Sequence, residues 1–138
     1  GQYIWISHSI LQIWNVSLEA FKGQCNYNMD NLLDYSKIVL TKLPGKGRLG
    51  AIESEISWLN SALLFTKNFR KKIEETIGWP VYFVIPSREY CYFVNIKRKD
   101  SLDLLTQMFN DIYRKEDLRL TREIFSLTDK GIRATDNF

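Results

Sequence analysis

The residues best equipped for chemistry sit just after the middle of the chain. Ser87, Arg88, Tyr90, Tyr92, Lys97, Arg98 and Lys99 place a hydroxyl, two aromatic rings and four cations close together. An arginine held at a sheet edge could clamp a carboxylate or a phosphate through its planar fork. A nucleophilic Ser87 would need a base, and His8 is the one histidine in the chain. The bland alternative is structural. In Pro86-Ser87-Arg88-Glu89 the proline presets φ and the serine bonds its own backbone, which suffices to turn one strand into the next. The residues favour that corner over a catalytic one.

The run REYCYFVN (88–95) touches the pattern by which RNA-recognition sheets stack bases. Arg88, Tyr90 and Tyr92 stand at the basic and aromatic places, with Lys97, Arg98 and Lys99 following. Glu89 and Cys91 stand where glycines belong, and Asn95 where the last aromatic belongs. Single-stranded nucleic-acid binding through residues 88–99 is therefore the second reading, behind ordinary sheet packing. Gly45-Lys46-Gly47-Arg48-Leu49-Gly50 fits G-x-G-x-x-G literally. A dinucleotide fingerprint needs those glycines to open a helix after a strand. Alternation follows here instead, so a hairpin tip that could contact an anion is the expectation. Glu53 and Glu55 would lie on one side of a strand, ~7 Å apart by strand rise, exposed and without catalytic company. Cys25 and Cys91 form no CxxC pair and read as two buried thiols, with a single disulfide as the alternative. With one histidine they cannot complete a His/Cys zinc set. No catalytic residue, metal or cofactor is expected.

These groups need a scaffold. A chain of 138 residues with 45% hydrophobic and 14% aromatic residues can bury one core, and its charge of +3 does not demand an acidic partner. No apolar run nears the ~20 residues of a membrane-spanning helix, and residues 1–16 have no signal-peptide pattern. A cytoplasmic protein, opening on Gly1 as a C-terminal piece of a longer one, is the expectation.

Ser7 caps a short helix to Trp14, and Ser17 caps a second with the stripe Leu18, Phe21, Cys25, Met29 and Leu32/Leu33. KIVLTKL (37–43) should pair with an alternating strand, Ile52 to Trp58. A helix spans 61–78 with Ala62, Phe65, Phe69 and Ile73 inward. Gly78 and Pro80 end it. Val81–Ile85 and Tyr90–Val94 are apolar on both faces and should be covered twice. Asp100 or Ser101 caps a helix carrying Leu102, Leu105, Met108/Phe109 and Ile112/Tyr113. Thr121–Leu127 closes as a strand, Asp129-Lys130-Gly131 turns into Ile132, and residues 134–138 fray. The expected fold is α+β over residues 1–138, a single domain. It is mainly an antiparallel sheet with helices packed on one face, β-α-β-β-α-β from about residue 50, preceded by helices and one strand.

Four segments carry a family resemblance: Ile6 to Ser17, Ala62-Leu63-Leu64 with Phe69, Val84-Ile85-Pro86-Ser87-Arg88, and Leu120 to Phe125. Together they resemble a bacterial family of uncharacterised YtpQ-like proteins, a domain of unknown function. The resemblance implies a fold and no reaction. The functional expectation is a non-enzymatic binding or protein-interaction module. Its weak point would be Trp5, Trp14 and Trp79 all deeply buried, with no apolar surface patch.

Overall fold

The computed structural model describes residues 5–43, 47–98, 101–115 and 119–135. Helices α1 (His8–Ile13) and α2 (Leu18–Tyr35) start where the two serines predict. Ser7 Oγ accepts from the Ile10 amide at 3.4 Å, and Ser17 Oγ from the Ala20 amide at 3.1 Å. Between them Asn15 adopts φ 53°, and the Asn15 and Val16 amides bond back to Gln12 and Leu11. That pair of bonds is the Schellman stop, with asparagine in the glycine place. The stripe on α2 is only half realised. Leu33 is buried and Met29 and Leu32 pack beside it, but Cys25 is exposed.

Strand β1 (Lys37–Lys42) forms the expected hairpin with β2, which spans Arg48–Glu53 rather than the alternating run beyond it. One of the motif's glycines explains the shift. Gly50 pairs with Phe93 across the sheet, and a methyl group added there would lie 2.3 Å from the Phe93 ring. Glycine is needed for close approach inside a strand, not for a phosphate loop. Gly45 lies outside the described residues.

After Glu53 the strand stops because Asn60 Oδ1 takes the Ser54 amide at 3.0 Å and the Ser54 hydroxyl at 2.7 Å. Residues Ser57–Phe65 then form a 3-10 segment, and α3 is confined to Phe69–Glu74. The single helix expected over 61–78 is thus broken at 66–68. Thr66 Oγ1 donates to the Leu63 carbonyl at 2.8 Å, closing the first turn set before α3 begins. The phase slips there, so Phe69 and Ile73 stay in the core while Phe65 is 61% exposed. Gly78 ends the segment at φ 92°.

Strands β3 (Val81–Val84) and β4 (Tyr92–Asn95), helix α4 (Ser101–Lys115), and strands β5 (Phe125–Thr128) and β6 (Gly131–Ala134) complete the chain. The α+β class and the β-α-β-β-α-β order are as read from the sequence, with β6 added beyond the turn. Ala134 therefore belongs to a strand, and Thr135 donates to the Ile124 carbonyl. The caps expected at Asp100 or Ser101 fall outside the described side chains.

The six strands form one antiparallel sheet in the order β1-β2-β4-β3-β5-β6. Along β3 the side chains alternate between two cores. Val81 and Phe83 join Leu33, Leu63, Phe69, Ile73 and Phe93 on the first face, while Tyr82 and Val84 join Leu105, Phe109, Val94 and Ile124 on the second. Helices therefore cover both faces, a correction to the one-face arrangement. Connections between parallel strands of one sheet keep a right hand. Strands β2 and β4 run antiparallel, and both connections step two strands in the same direction. One hand with opposite starting directions puts α3 and α4 on opposite faces.

The two glycines of contrasting setting make a stability test. Gly50→Ala should cost about 1–3 kcal/mol as an overpacked core. Gly23→Ala, on an exposed helical turn with nothing near the added methyl, should gain up to about 1 kcal/mol. Urea denaturation of both variants checks the pair.

Candidate functional site

The corner at 85–91 is held by its backbone. Pro86 accepts from the Leu120 amide at 2.9 Å and Arg88 from the Ser61 amide at 3.1 Å. The Asn60 Nδ2 donates to the Glu89 carbonyl at 3.0 Å, so one buried amide side chain ties the end of β2 to this corner. Ser87 is buried and faces Arg119 in an isolated antiparallel bridge. Its hydroxyl is buried without a hydrogen-bond partner among the described residues. Arg88 and Glu89 are exposed at the tip.

Tyr90 and Tyr92 stack with centroids 6.2 Å apart and planes 7° from parallel. Tyr92 packs against the second core, beneath α4, and Tyr90 is exposed beside Arg88. Lys97 and Arg98 lie beyond the opposite end of β4, and Lys99 falls outside the described residues. The seven residues grouped by sequence are thus split between the two ends of the sheet. At the far end Arg98 meets the β1–β2 hairpin instead. A methyl on Gly47 would sit 2.2 Å from its guanidinium. There Gly47, Arg48, Thr76, Ile77, Asn95 and Arg98 line an open cleft of about 360 Å³, with Arg48 donating to the Thr76 carbonyl at 3.3 Å.

Glu53 ends β2 and Glu55 lies beyond the Ser54–Asn60 bonds, so the two do not share a strand face. Among the described residues no three His, Cys, Asp or Glu side chains gather as a metal group. Cys25 and Cys91 are both free thiols; burial pushes the Cys91 thiol up from its ordinary value.

What sequence reasoning missed is apolar. Phe65, Phe83, Ile85, Leu120, Thr121, Phe125 and Ile132 line a groove of about 200 Å³ on the first face, above β5 and β6. Its floor is the stacked pair Phe83 and Phe125, with centroids 5.3 Å apart. Its rims are exposed: Phe65, Leu120 at 50% and Ile132 at 41%. The signal that could have found it is the pair of weak helix formers Thr66 and Asn68, where the helix breaks and Phe65 turns out of the expected stripe. Trp5, at 92% exposure, and Trp14 are also in solvent, while Trp79 is half-buried.

The chain matches no family model, no curated protein and no solved structure.

Two results should follow from this geometry. Ser87→Ala should leave stability within about 0.5 kcal/mol of the parent or raise it, since no bond is lost. Asn60→Ala should cost about 1–3 kcal/mol through stranded buried partners. Guanidinium denaturation distinguishes them. At pH 8 a thiol reagent should modify Cys25 in the folded protein and reach Cys91 only after unfolding, read by mass spectrometry.

Proposed function

We propose that this domain is a non-enzymatic protein-interaction module whose docking surface is the apolar groove between Phe65, Leu120 and Ile132. The observation that carries the reading is the lining itself: every wall is a hydrocarbon or aromatic side chain except Thr121. A partner that covers Phe65, Leu120 and Ile132 removes large apolar area from water, at roughly 25 cal/mol per Å². Solvent-exposed Trp5, ahead of α1, and Trp14, at the C-cap of α1, supply further surface of the kind that interfaces use. Nucleic-acid binding draws less support, because Tyr90 and Arg88 stand at one end of the sheet and Lys97 and Arg98 at the other. No helix among the described residues is long and apolar enough to cross a membrane. The cytoplasm suits two free thiols, and kinship with the bacterial YtpQ-like domains stays part of the same proposal.

Selection of a random peptide display library on the folded protein tests the groove. Peptides with spaced apolar anchors should be enriched. Leu120→Glu and Ile132→Glu should each weaken them more than tenfold, and Lys97→Glu should leave them unchanged. Enriched peptides that bind both groove variants as well as the parent would refute the assignment.

A further inference from the structure

Strand β6 ends the sheet, since no described strand lies beyond it, and all four of its residues are exposed. Its bonds to β5 alternate. The Thr135 amide donates to the Ile124 carbonyl at 2.9 Å, and the Gly131 and Arg133 carbonyls accept from the Thr128 and Ser126 hydroxyls. Odd-numbered residues therefore turn their amides and carbonyls toward β5. Ile132 and Ala134 turn theirs outward, where no described residue meets them. The side chains alternate in step. Ile132 and Ala134 share the first face with Leu127 and Phe125, while Arg133 shares the second with Ser126 and Tyr82. Arg133 makes no ion pair among the described residues.

We propose that β6 receives an extended segment of the partner as an added antiparallel strand. Apolar residues of that segment stand opposite Ile132 and Ala134, and an acidic residue between them stands opposite Arg133. The proposal rests on the groove reading for its partner and adds how that partner lies. A row of unpaired amides and carbonyls at a sheet edge is a template for a strand, and main-chain bonds hold the segment there. Residues opposite Ile132 and Ala134 each exchange both bonds. Arg133 falls in the closer pair, with Cα atoms ~4.5 Å apart, where the charge of the facing residue counts most. Ala134 is the smaller side chain on the groove face and lies beside Phe125. A long apolar side chain of the added strand can therefore lean across it onto the Phe125 ring, which lines the groove. A second copy of this chain fits less well. Pairing two β6 strands so that Ile132 and Ala134 all bond sets Arg133 against its own counterpart, and like charges directly opposite repel.

The acetylated and amidated peptide KTLEVTK, titrated to millimolar concentration and followed by amide resonances, tests the added strand. Saturable shifts are expected at Ile132 and Ala134, with slowed amide exchange at both. N-methylation of the peptide's leucine or valine, each of which must exchange both bonds, should weaken binding at least tenfold. N-methylation of its glutamate, whose amide points away from β6, should change affinity less than twofold. Lysine in place of that glutamate should weaken binding to the parent about threefold and strengthen it to Arg133→Glu. No saturable shift, or equal loss from all three N-methyl peptides, overturns the strand. So does a concentration-dependent dimer that protects the same two amides, which would give the edge to a second copy. Leu120→Glu separates the groove from the edge, and it should weaken KTLEVTK. Full affinity in that variant with the N-methyl pattern intact removes the groove and keeps the strand. Lost affinity there with no N-methyl pattern in the parent keeps the groove and removes the strand.

Discussion

Strand β1 occupies the outer edge of β2, and the rest of the arrangement follows from that occupancy. Six consecutive pairs, from Lys37 with Glu53 to Lys42 with Arg48, close that edge. Strand β5 must then dock on the far side of the central hairpin, where Val81, Tyr82 and Phe83 receive Leu127, Ser126 and Phe125. Had β5 joined β2 instead, a right-handed connection would have laid α4 beside α3 on one face. With β5 beside β3, α4 crosses the second face. Both sides of β3 and β4 are covered, which is why Val81–Val84 and Phe93-Val94 are apolar without alternation.

The same constraint leaves two uncovered corners, diagonally opposed. Over β1 and β2 the second face shows Val39 and Thr41, small side chains in a strand that starts and ends with lysine. Charged ends of that kind blunt a sheet edge against chance association. Over β5 and β6 the first face shows Phe125 and Ile132, with Phe65 and Leu120 rising beside them. Large apolar side chains concentrate at one corner only. The groove is thus a by-product of topology that this sequence has lined with rings and aliphatic side chains rather than covered with charge. Exposed apolar surface that is contiguous usually has a partner.

Local signals were legible. Ser7 and Ser17 cap their helices, α4 buries Leu105 and Phe109 as its spacing requires, and the 81–95 hairpin turns at the proline corner. Each of these depends on residues a few positions apart. The failures were mostly non-local, the break of the 61–78 helix at Thr66 apart. Arg48–Gly50 looked like a hairpin tip because its glycine answers to Phe93, more than forty residues on. Ser54 to Trp58 alternates like a strand, yet Asn60 captures Ser54 and turns the chain. The covered face of α4 depends on which edge β5 finds, and no periodicity encodes that. The groove joins residues from 65 to 132, so it left no motif to read.

Strand order and helix side are open to one direct observation, the nuclear Overhauser contacts of the assigned protein. Backbone contacts are expected between Tyr82 and Ser126, with Val94 methyls against the Phe109 ring and the Phe93 ring against Phe69, at 5.5 Å in the structure. Backbone contacts from β5 to β1 or β2, or the Phe109 ring against Phe83 and Phe93, would contradict that order and that side.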